Sequence, residues 1–161
     1  MENTLQQVGA PLKKKTELVN LLKELFKNQL LAVLSTQSQI GPYGNLVAFA
    51  STDDLKHLLF ATTRATRKYE NLLRTHRVAM VIDNRSNQEA DFHEAVAVTA
   101  TGSVEEINGS DRDSYQSLYL AKHPFLTDFV SSPTCALLKV EVDTYYIVRH
   151  FQQVTELHIT S

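Results

Sequence analysis

The chain has 161 residues and a formal charge of −2, from 16 basic and 18 acidic side chains. That length fits one domain with a buried core, and that charge provides no basic field for nucleic acid or for an anionic membrane. The single cysteine, Cys135, excludes an intramolecular disulfide, and no apolar run approaches the roughly 20 residues that span a bilayer. We therefore expect one cytoplasmic domain over residues 1–161, without nucleic-acid or membrane partners.

The N-terminal part of the chain predicts an arm followed by a helix. Residues 1–12 show little periodicity and contain the helix breakers Gly9 and Pro11, so we expect a mobile arm there. From about Lys14 to Asn28 the apolar residues follow helical spacing. They form one stripe, composed of Leu18, Leu21, Leu22, Leu25 and Phe26. Such a helix is suited to cover the edge of a sheet or the mouth of a barrel.

Three short apolar runs follow and predict strands at residues 30–35, 45–51 and 55–61. Residues 37–44 separate the first two and contain the turn signal Gly41-Pro42-Tyr43-Gly44, and a three-residue turn separates the last two. Strands joined so closely must be antiparallel, because a parallel pair needs a long crossover. The first half is therefore a meander and not a βαβ unit.

The second half adds further strands and another helix. Strands are predicted at residues 77–83, 95–107, 136–149 and 151–159. Gly102, in the middle of the second of these, predicts a β-bulge or a close approach by another chain segment. A helix is expected to begin after the N-cap Ser110 and to end at Pro124. About six or seven antiparallel strands in one small domain favour a closed or split barrel, since closure removes exposed edges.

Residues 58–73 run from a buried strand through a polar turn into a helix whose first turn holds Arg67 and Lys68. The N-terminal end of a helix carries partial positive charge, which disfavours basic residues unless an anion sits among them. Together with nearby hydroxyls, these two side chains indicate a phosphate site. The alternative from these residues alone is that both are solvated side chains of an ordinary helix. The chain has neither a G-x-G-x-x-G nor a P-loop motif, so the site is of another kind.

Several short motifs follow one another at characteristic spacing between about Leu30 and Phe151. The most specific ones are Phe60-Ala61-Thr62-Thr63-Arg64-Ala65-Thr66-Arg67-Lys68, then Asn71-Leu72 and Arg77-Val78-Ala79. Later ones are a strand with a central Gly102 followed by Glu105, and a helix end with Tyr119, His123 and Pro124. In this order the chain resembles the pyridoxamine 5′-phosphate oxidase-like superfamily, the split barrels that bind flavin mononucleotide (FMN).

The resemblance implies a mostly β fold with flanking helices, an antiparallel split β-barrel of the FMN-binding type. It also implies a homodimer with one flavin in each of two clefts at the interface. By position, Arg67 and Lys68 would hold the flavin phosphate, assisted by the Thr62 and Thr66 hydroxyls. The other implied cofactor-binding residues are Val47, Ala48 and Phe49 along the isoalloxazine ring, Asn84 facing the cleft, and Phe151 directed from one subunit toward the flavin of the other.

The chain departs from the pyridoxamine phosphate oxidases proper at two places. They carry an Arg where this chain has Leu46, and they end in an Arg-rich segment that binds the substrate phosphate, whereas no Arg follows Arg149 here. We therefore expect a divergent FMN-dependent oxidoreductase with another small organic substrate. The alternatives are a non-catalytic flavin-binding or electron-carrier module, a relative that uses deazaflavin or handles haem, and a structural barrel without ligand.

No catalytic side chain stands out, and none is required, since a flavin carries the electron transfer itself. The six histidines lack H-E-x-x-H spacing and a neighbouring cysteine pair, so we predict no metal site. His93, between Asp91 and Glu94, is the best candidate for a proton donor, although those carboxylates also fit an ordinary loop histidine.

Overall fold

A computed structural model of the protein describes residues 12–160. The arm expected at residues 1–12 lies outside the described residues except for Leu12, which already begins the first helix. The helices are α1 (Leu12–Asn28), α2 (Arg67–Arg74), α3 (Asp91–Glu94), α4 (Arg112–Lys122) and α5 (Thr127–Ser131). The strands are β1 (Leu31–Ser38), β2 (Gly41–Ser51), β3 (His57–Thr63), β4 (Arg77–Asp83), β5 (Ala97–Glu106), β6 (Cys135–Arg149) and β7 (Gln153–His158).

The strands form a closed antiparallel barrel with one additional strand. The order is β3-β2-β1-β4-β5-β6-β7, and a pairing of β3 with β6 closes the first six strands into the barrel. Strand β5 pairs along one edge of β6. The other edge of β6 pairs with β3 in its first half, Cys135–Glu141, and with β7 in its second half, Thr144–Arg149. The predicted mostly β fold with flanking helices and a split barrel is confirmed.

The main core fills the barrel and continues under α1. Alternate residues of β2, among them Val47 and Phe49, point inward and are buried. Leu22 and Phe26 of α1 are buried against the same cluster, so the predicted apolar stripe covers one end of the barrel. A smaller cluster lies outside the barrel, where α4 and α5 cover β3 and β6, and Tyr119 is its largest buried side chain.

Part of the outer barrel surface carries apolar side chains that remain at least partly exposed among residues 12–160. Cross-strand pairing aligns one row of residues on this face of β2, β1, β4, β5 and β6. The row is composed of Leu46, Val33, Val81, Thr99 and Tyr146. Leu46 is 62% exposed and the other four are half-buried. We call these five residues the outer row. Among residues 12–160, no helix has both the length and the apolar character needed to cross a membrane.

Two local expectations are wrong. The segment from Gly41 to Gly44 is not a turn but the beginning of β2, and the hairpin turn consists of Gln39 and Ile40. Pro42 is tolerated in the strand because β2 pairs there with β1 only, so its missing N–H faces an edge. Ser110 does not cap α4, because it lies inside a 3₁₀ turn and α4 begins at Arg112.

Candidate functional site

The barrel opens between β2 and β3. These strands pair only where Phe49–Ser51 meets Leu58–Phe60. Before Phe49, β2 pairs with β1 alone, and after Phe60, β3 pairs with β6 alone. We call the gap between residues 41–48 of β2 and residues 61–63 of β3 the split. Two strand edges face each other across it without forming a ladder, so the backbone groups on these edges do not pair with each other as strands.

Helix α2 begins at the β3 side of the split, and Thr66 is its N-cap. The Thr66 Oγ1 accepts a hydrogen bond from the Tyr69 backbone N–H at 3.3 Å and donates one to the Thr63 carbonyl at 3.0 Å. The Thr62 hydroxyl lies 2.9 Å from the Thr66 hydroxyl. The structure therefore brings these two predicted site residues together, with Thr66 capping the helix and the Thr62 hydroxyl in contact with that cap.

The basic side chains around this helix start differ in their partners. Arg64 pairs with Glu106 and donates to the Pro133 carbonyl at 2.8 Å, so it ties the turn to the barrel. Among residues 12–160, neither Arg67 nor Lys68 forms an ion pair with a carboxylate. The Arg67 guanidinium lies 5.6 Å from the centre of the Tyr43 ring, and partial burial lowers the pKa of Lys68. Two cations thus stand at a helix N-terminus without a carboxylate partner in the described part of the chain.

The first turn of α2 is not purely basic. Glu70 also lies there, but it pairs with Arg74 of the last turn at 3.0 Å, so its charge is already matched. An open cleft of about 590 Å³ adjoins this end of the helix, and Thr66, Arg67 and Glu70 belong to its lining. Lys68 does not line that cleft. The concave surface therefore contains one of the two predicted phosphate-binding cations.

Strand β2 presents Val47, Ala48 and Phe49 differently from one another. The Val47 and Phe49 side chains are buried in the barrel, so only their backbone can meet a ligand in the split. The Ala48 carbonyl accepts a hydrogen bond from the Tyr119 hydroxyl at 3.0 Å, and the Phe49 carbonyl lies 2.7 Å from His123 Nε2. The carbonyl groups of Ala48 and Phe49 are therefore already hydrogen-bonded to side chains at the C-terminal end of α4.

Asn84 and Phe151 lie away from α2 in the same chain. Pairing of Val33 with Val81 places Asn84 near the start of β1, whereas Asn71 of α2 contacts Thr36 near its end. At about 3.3 Å per residue, these positions are roughly 20 Å apart along the strand. The Asn84 Oδ1 accepts a hydrogen bond from the Val96 N–H at 2.7 Å, which closes the intervening loop.

Phe151 contacts that same loop. Its ring packs edge-on against Phe92 with centroids 5.6 Å apart, and both side chains are exposed. Phe151 and the preceding His150 have φ values of 72° and 48°, so the β6–β7 turn holds two bulky residues in a left-handed conformation. The exposed aromatic pair therefore stands on a strained turn, on the Asn84 side of the barrel.

Sequence reasoning missed Asn45, whose side-chain oxygen is buried and has no hydrogen-bond partner among the described residues. Asn45 belongs to the part of β2 that borders the split. A buried acceptor without a donor is unfavourable, and a ligand with an N–H or O–H group would satisfy it. Only its place in β2, between Gly44 and Leu46, could have drawn attention to it.

Solved structures share this fold. The haem-binding protein of Mycobacterium smegmatis has a TM-score of 0.76 at 14% identity over 94% of this chain and 60% of that chain. A Clostridium acetobutylicum protein related to general stress protein 26, described as of the pyridoxinephosphate oxidase family, has a TM-score of 0.70 at 16% identity over 89% of this chain and 95% of that chain. An FAD-binding protein of Mesorhizobium loti has a TM-score of 0.62 at 17% identity over 80% of this chain and 90% of that chain. Identities this low show a common fold alone, and this chain spans only 60% of the haem-binding protein.

No curated protein sequence matches the chain. The sequence model of the family described as pyridoxamine 5′-phosphate oxidase matches residues 18–149, from within α1 to the end of β6. This match covers most of the chain, including the split, α2 and α4, and it confirms the resemblance drawn from the motifs. The chain therefore belongs to the pyridoxamine 5′-phosphate oxidase family.

Proposed function

We propose that this protein is a homodimeric flavoprotein that binds FMN in the split and exchanges electrons with a small organic substrate. The observation that carries the proposal is the pair of cations at the start of α2. Arg67 and Lys68 have no carboxylate partner among the described residues and lie beside backbone N–H groups at a helix N-terminus. Cations and free N–H groups together favour an anion such as a phosphate monoester.

The donors and acceptors along the split suit the rest of such a molecule. FMN has a phosphate at one end and a planar ring with an N–H edge at the other. The cations at α2 match the first, and the unpaired edge of β2 in the split offers backbone groups to the second. The ring would lie along the backbone of residues 47–49, whose side chains Val47 and Phe49 are held in the core. FMN supplies hydride or electron transfer when bound, and the protein supplies binding and orientation.

The outer row supports assembly into a homodimer. Leu46 is largely exposed at the β2 end of the row, whose other members are the apolar or aromatic Val33, Val81 and Tyr146 and the polar Thr99. A largely apolar face of this kind is typical of an interface between subunits. In such a dimer each subunit would direct Phe151 and Asn84 toward the flavin of the other. That arrangement would account for the distance of both residues from α2 of their own chain.

The substrate is expected to differ from vitamin B6 phosphates. Leu46 stands where the oxidases proper have an Arg, and it lies on the exposed face of β2. Residues 150–161 contain no Arg, so this segment does not offer the arginines that bind a second phosphate in the oxidases proper. A small organic substrate without a phosphate group fits these departures.

The first test is an absorbance spectrum of the freshly purified protein, followed by titration with FMN. We expect flavin bands, or a colourless apoprotein whose unfolding temperature rises by about 5–10 °C at an FMN concentration near 100 times Kd. A protein without flavin bands and without any thermal shift would overturn the proposal. Turnover with a reduced nicotinamide and an electron acceptor then separates an enzyme from an electron carrier.

Haem is a second candidate, because one protein that shares the fold is described as haem-binding. Two exposed histidines, His93 and His150, each adjoin one member of the Phe92–Phe151 pair in sequence. A histidine is a common axial ligand of haem iron, and the aromatic pair could pack against a porphyrin. The same titration, repeated with haemin, tests it: a ligand-specific absorbance change with haemin and none with FMN would favour this candidate.

A further inference from the structure

The ladder between β2 and β3 stops at an identifiable place. Its last pair toward the split is Phe49 with Phe60, so the next pair of a continuing ladder would be Ala48 with Ala61. That pair does not form. The Tyr119 hydroxyl of α4 donates to the Ala48 carbonyl at 3.0 Å, and Ala48 and Ala61 both pack against the small core to which Tyr119 belongs. A side-chain hydroxyl thus binds the edge of β2 at the point where the ladder stops.

The surroundings of Tyr119 fix its ring in that position. Its side chain is 1% exposed and belongs to the small core outside the barrel, which also includes Ala48 and Ala61. Burial raises the pKa of Tyr119 most, Cys135 raises it further, and the Ala61 backbone hydrogen bond opposes the rise. The hydroxyl therefore stays protonated across the physiological range and can donate to Ala48.

His123 follows Tyr119 by one helical turn and contacts the carbonyl of Phe49, the residue of β2 next to Ala48. Its ring is fully buried, lies 5.0 Å from the Tyr119 ring, and has Nε2 2.7 Å from the Phe49 carbonyl. Because a carbonyl only accepts, Nε2 must carry the proton. Burial lowers the pKa of His123, so the ring is neutral and Nδ1, which has no partner among the described residues, is its bare nitrogen. Two consecutive carbonyls of β2 are thus held by α4.

We propose that Tyr119 is a positioning residue that keeps the split open by replacing the Ala48–Ala61 step of the ladder with its own hydroxyl. This inference rests on the proposed function, in which the flavin ring lies along residues 47–49. Tyr119 does not touch the ligand in this arrangement. It sets the distance between the two strand edges and thereby the position of the backbone that meets the ring.

The test compares Tyr119→Phe with Tyr115→Phe in the full chain. Both variants remove one hydroxyl from the same face of α4, but the Tyr115 ring lies 5.1 Å from the Lys139 ammonium, on the side of β6. At saturating FMN we expect Tyr119→Phe to change the visible circular dichroism of the bound flavin and to weaken FMN binding about tenfold. Tyr115→Phe should keep the wild-type spectrum and a Kd within twofold of wild type. A loss of global stability alone would not alter the spectrum of flavin that is fully bound.

A second measurement does not require flavin and separates this inference from the proposed function. Hydrogen exchange of the Ala61 amide is expected to change at least tenfold in Tyr119→Phe and to remain unchanged in Tyr115→Phe. If wild type binds no FMN but this change is seen, the proposed function fails while the role of Tyr119 in holding the split stands. An unchanged exchange rate, or an unchanged spectrum and Kd in a protein that binds FMN, would overturn the inference.

Discussion

Gly102 of β5 lies directly against the backbone of Glu141 in β6. A Cβ atom built on Gly102 would fall 2.1 Å from the Glu141 carbonyl oxygen and 2.9 Å from its carbonyl carbon. At the same point the β5–β6 register shifts between Thr101 and Gly102, as expected for a β-bulge. The bulge brings the two backbones too close for any side chain, so glycine is required by space rather than by φ.

We predict that Gly102→Ala destabilises the fold. The neighbouring atoms are backbone and cannot rotate away, so strands β5 and β6 must move apart, at a cost of about 1–3 kcal/mol or more. The control is Gly44→Ala in β2, where the added Cβ would meet only Val33 Cγ1 at 3.8 Å. Urea unfolding should show a lower midpoint for Gly102→Ala and a nearly unchanged one for Gly44→Ala. Equal midpoints would contradict the close approach.

Elements with local signals were predictable from the sequence. Strand β4 has the predicted bounds of residues 77–83, because alternating apolar residues end at polar loops on both sides. The Gly102 bulge was also expected, since a glycine in the interior of a strand often marks a bulge or a closely approaching backbone. The turn before β2 was misplaced because Gly41 and Pro42 are turn formers in general. They are accepted in a strand here only because the split leaves one edge of β2 unpaired.

The candidate site likewise contains some residues that the sequence could predict and others that it could not. Arg67 and Lys68 could be predicted because an unfavourable charge at a helix start is visible in the local sequence. The roles of Asn45 and Tyr119 could not, since they depend on which strands separate and on a hydrogen bond between residues 71 positions apart in the chain. The distance of Asn84 and Phe151 from α2 is also a property of the sheet register, which no local pattern reveals.

Removing the two unpaired cations of α2 should abolish tight FMN binding. We predict that Arg67→Ala combined with Lys68→Ala raises the FMN Kd by a factor of about 10 to 100 for each cation that binds the phosphate. A hydrogen bond to a charged group contributes about 1.5–3 kcal/mol, and about 1.4 kcal/mol is tenfold in affinity. Fluorescence titration of FMN, whose emission changes on binding, measures the Kd of the variant and of the wild type.

The matched control for this prediction is Glu70→Gln combined with Arg74→Ala in the same helix. These two residues form an ion pair, and replacing both leaves no unmatched carboxylate in the first turn of α2. We expect the Kd of this control to stay within about threefold of wild type, because the pair carries no net charge and an exposed ion pair contributes little. An Arg67→Ala, Lys68→Ala variant that binds FMN as tightly as this control would refute the assignment of the phosphate site.

A charge in the outer row should separate the proposed dimer. Leu46→Glu places a carboxylate on this face, at the β2 end of the outer row, where dimerisation would bury it without a partner. We predict a shift from dimer to monomer, seen by light scattering coupled to size-exclusion chromatography. Ile40→Glu is the control, because Ile40 is fully exposed at the β1–β2 turn and should leave the dimer intact. A Leu46→Glu protein that remains dimeric would place the interface on another surface.

Lys122 connects α4 to the end of α1. Its ammonium donates to the Phe26 and Gln29 carbonyls at 2.6 Å and 2.7 Å and lies 3.8 Å from the centre of the Phe49 ring. A cation is favourable at the C-terminal carbonyls of a helix. Burial nevertheless lowers the pKa of Lys122 from 10.5 to about 8, since the charged form loses water.

This lowered pKa predicts that the stability of the protein rises with pH above 8. Between the folded pKa of about 8 and the ordinary value of 10.5, the unfolded chain binds more protons than the folded chain, so the free energy of unfolding increases with pH. Urea unfolding between pH 8 and 9 measures this increase, because tyrosines of the unfolded chain ionise nearer pH 10. Lys122→Met should lack it, whereas Lys27→Met, which removes an exposed lysine of α1, should retain it. An equal rise in Lys122→Met and in wild type would assign the pH dependence to another group.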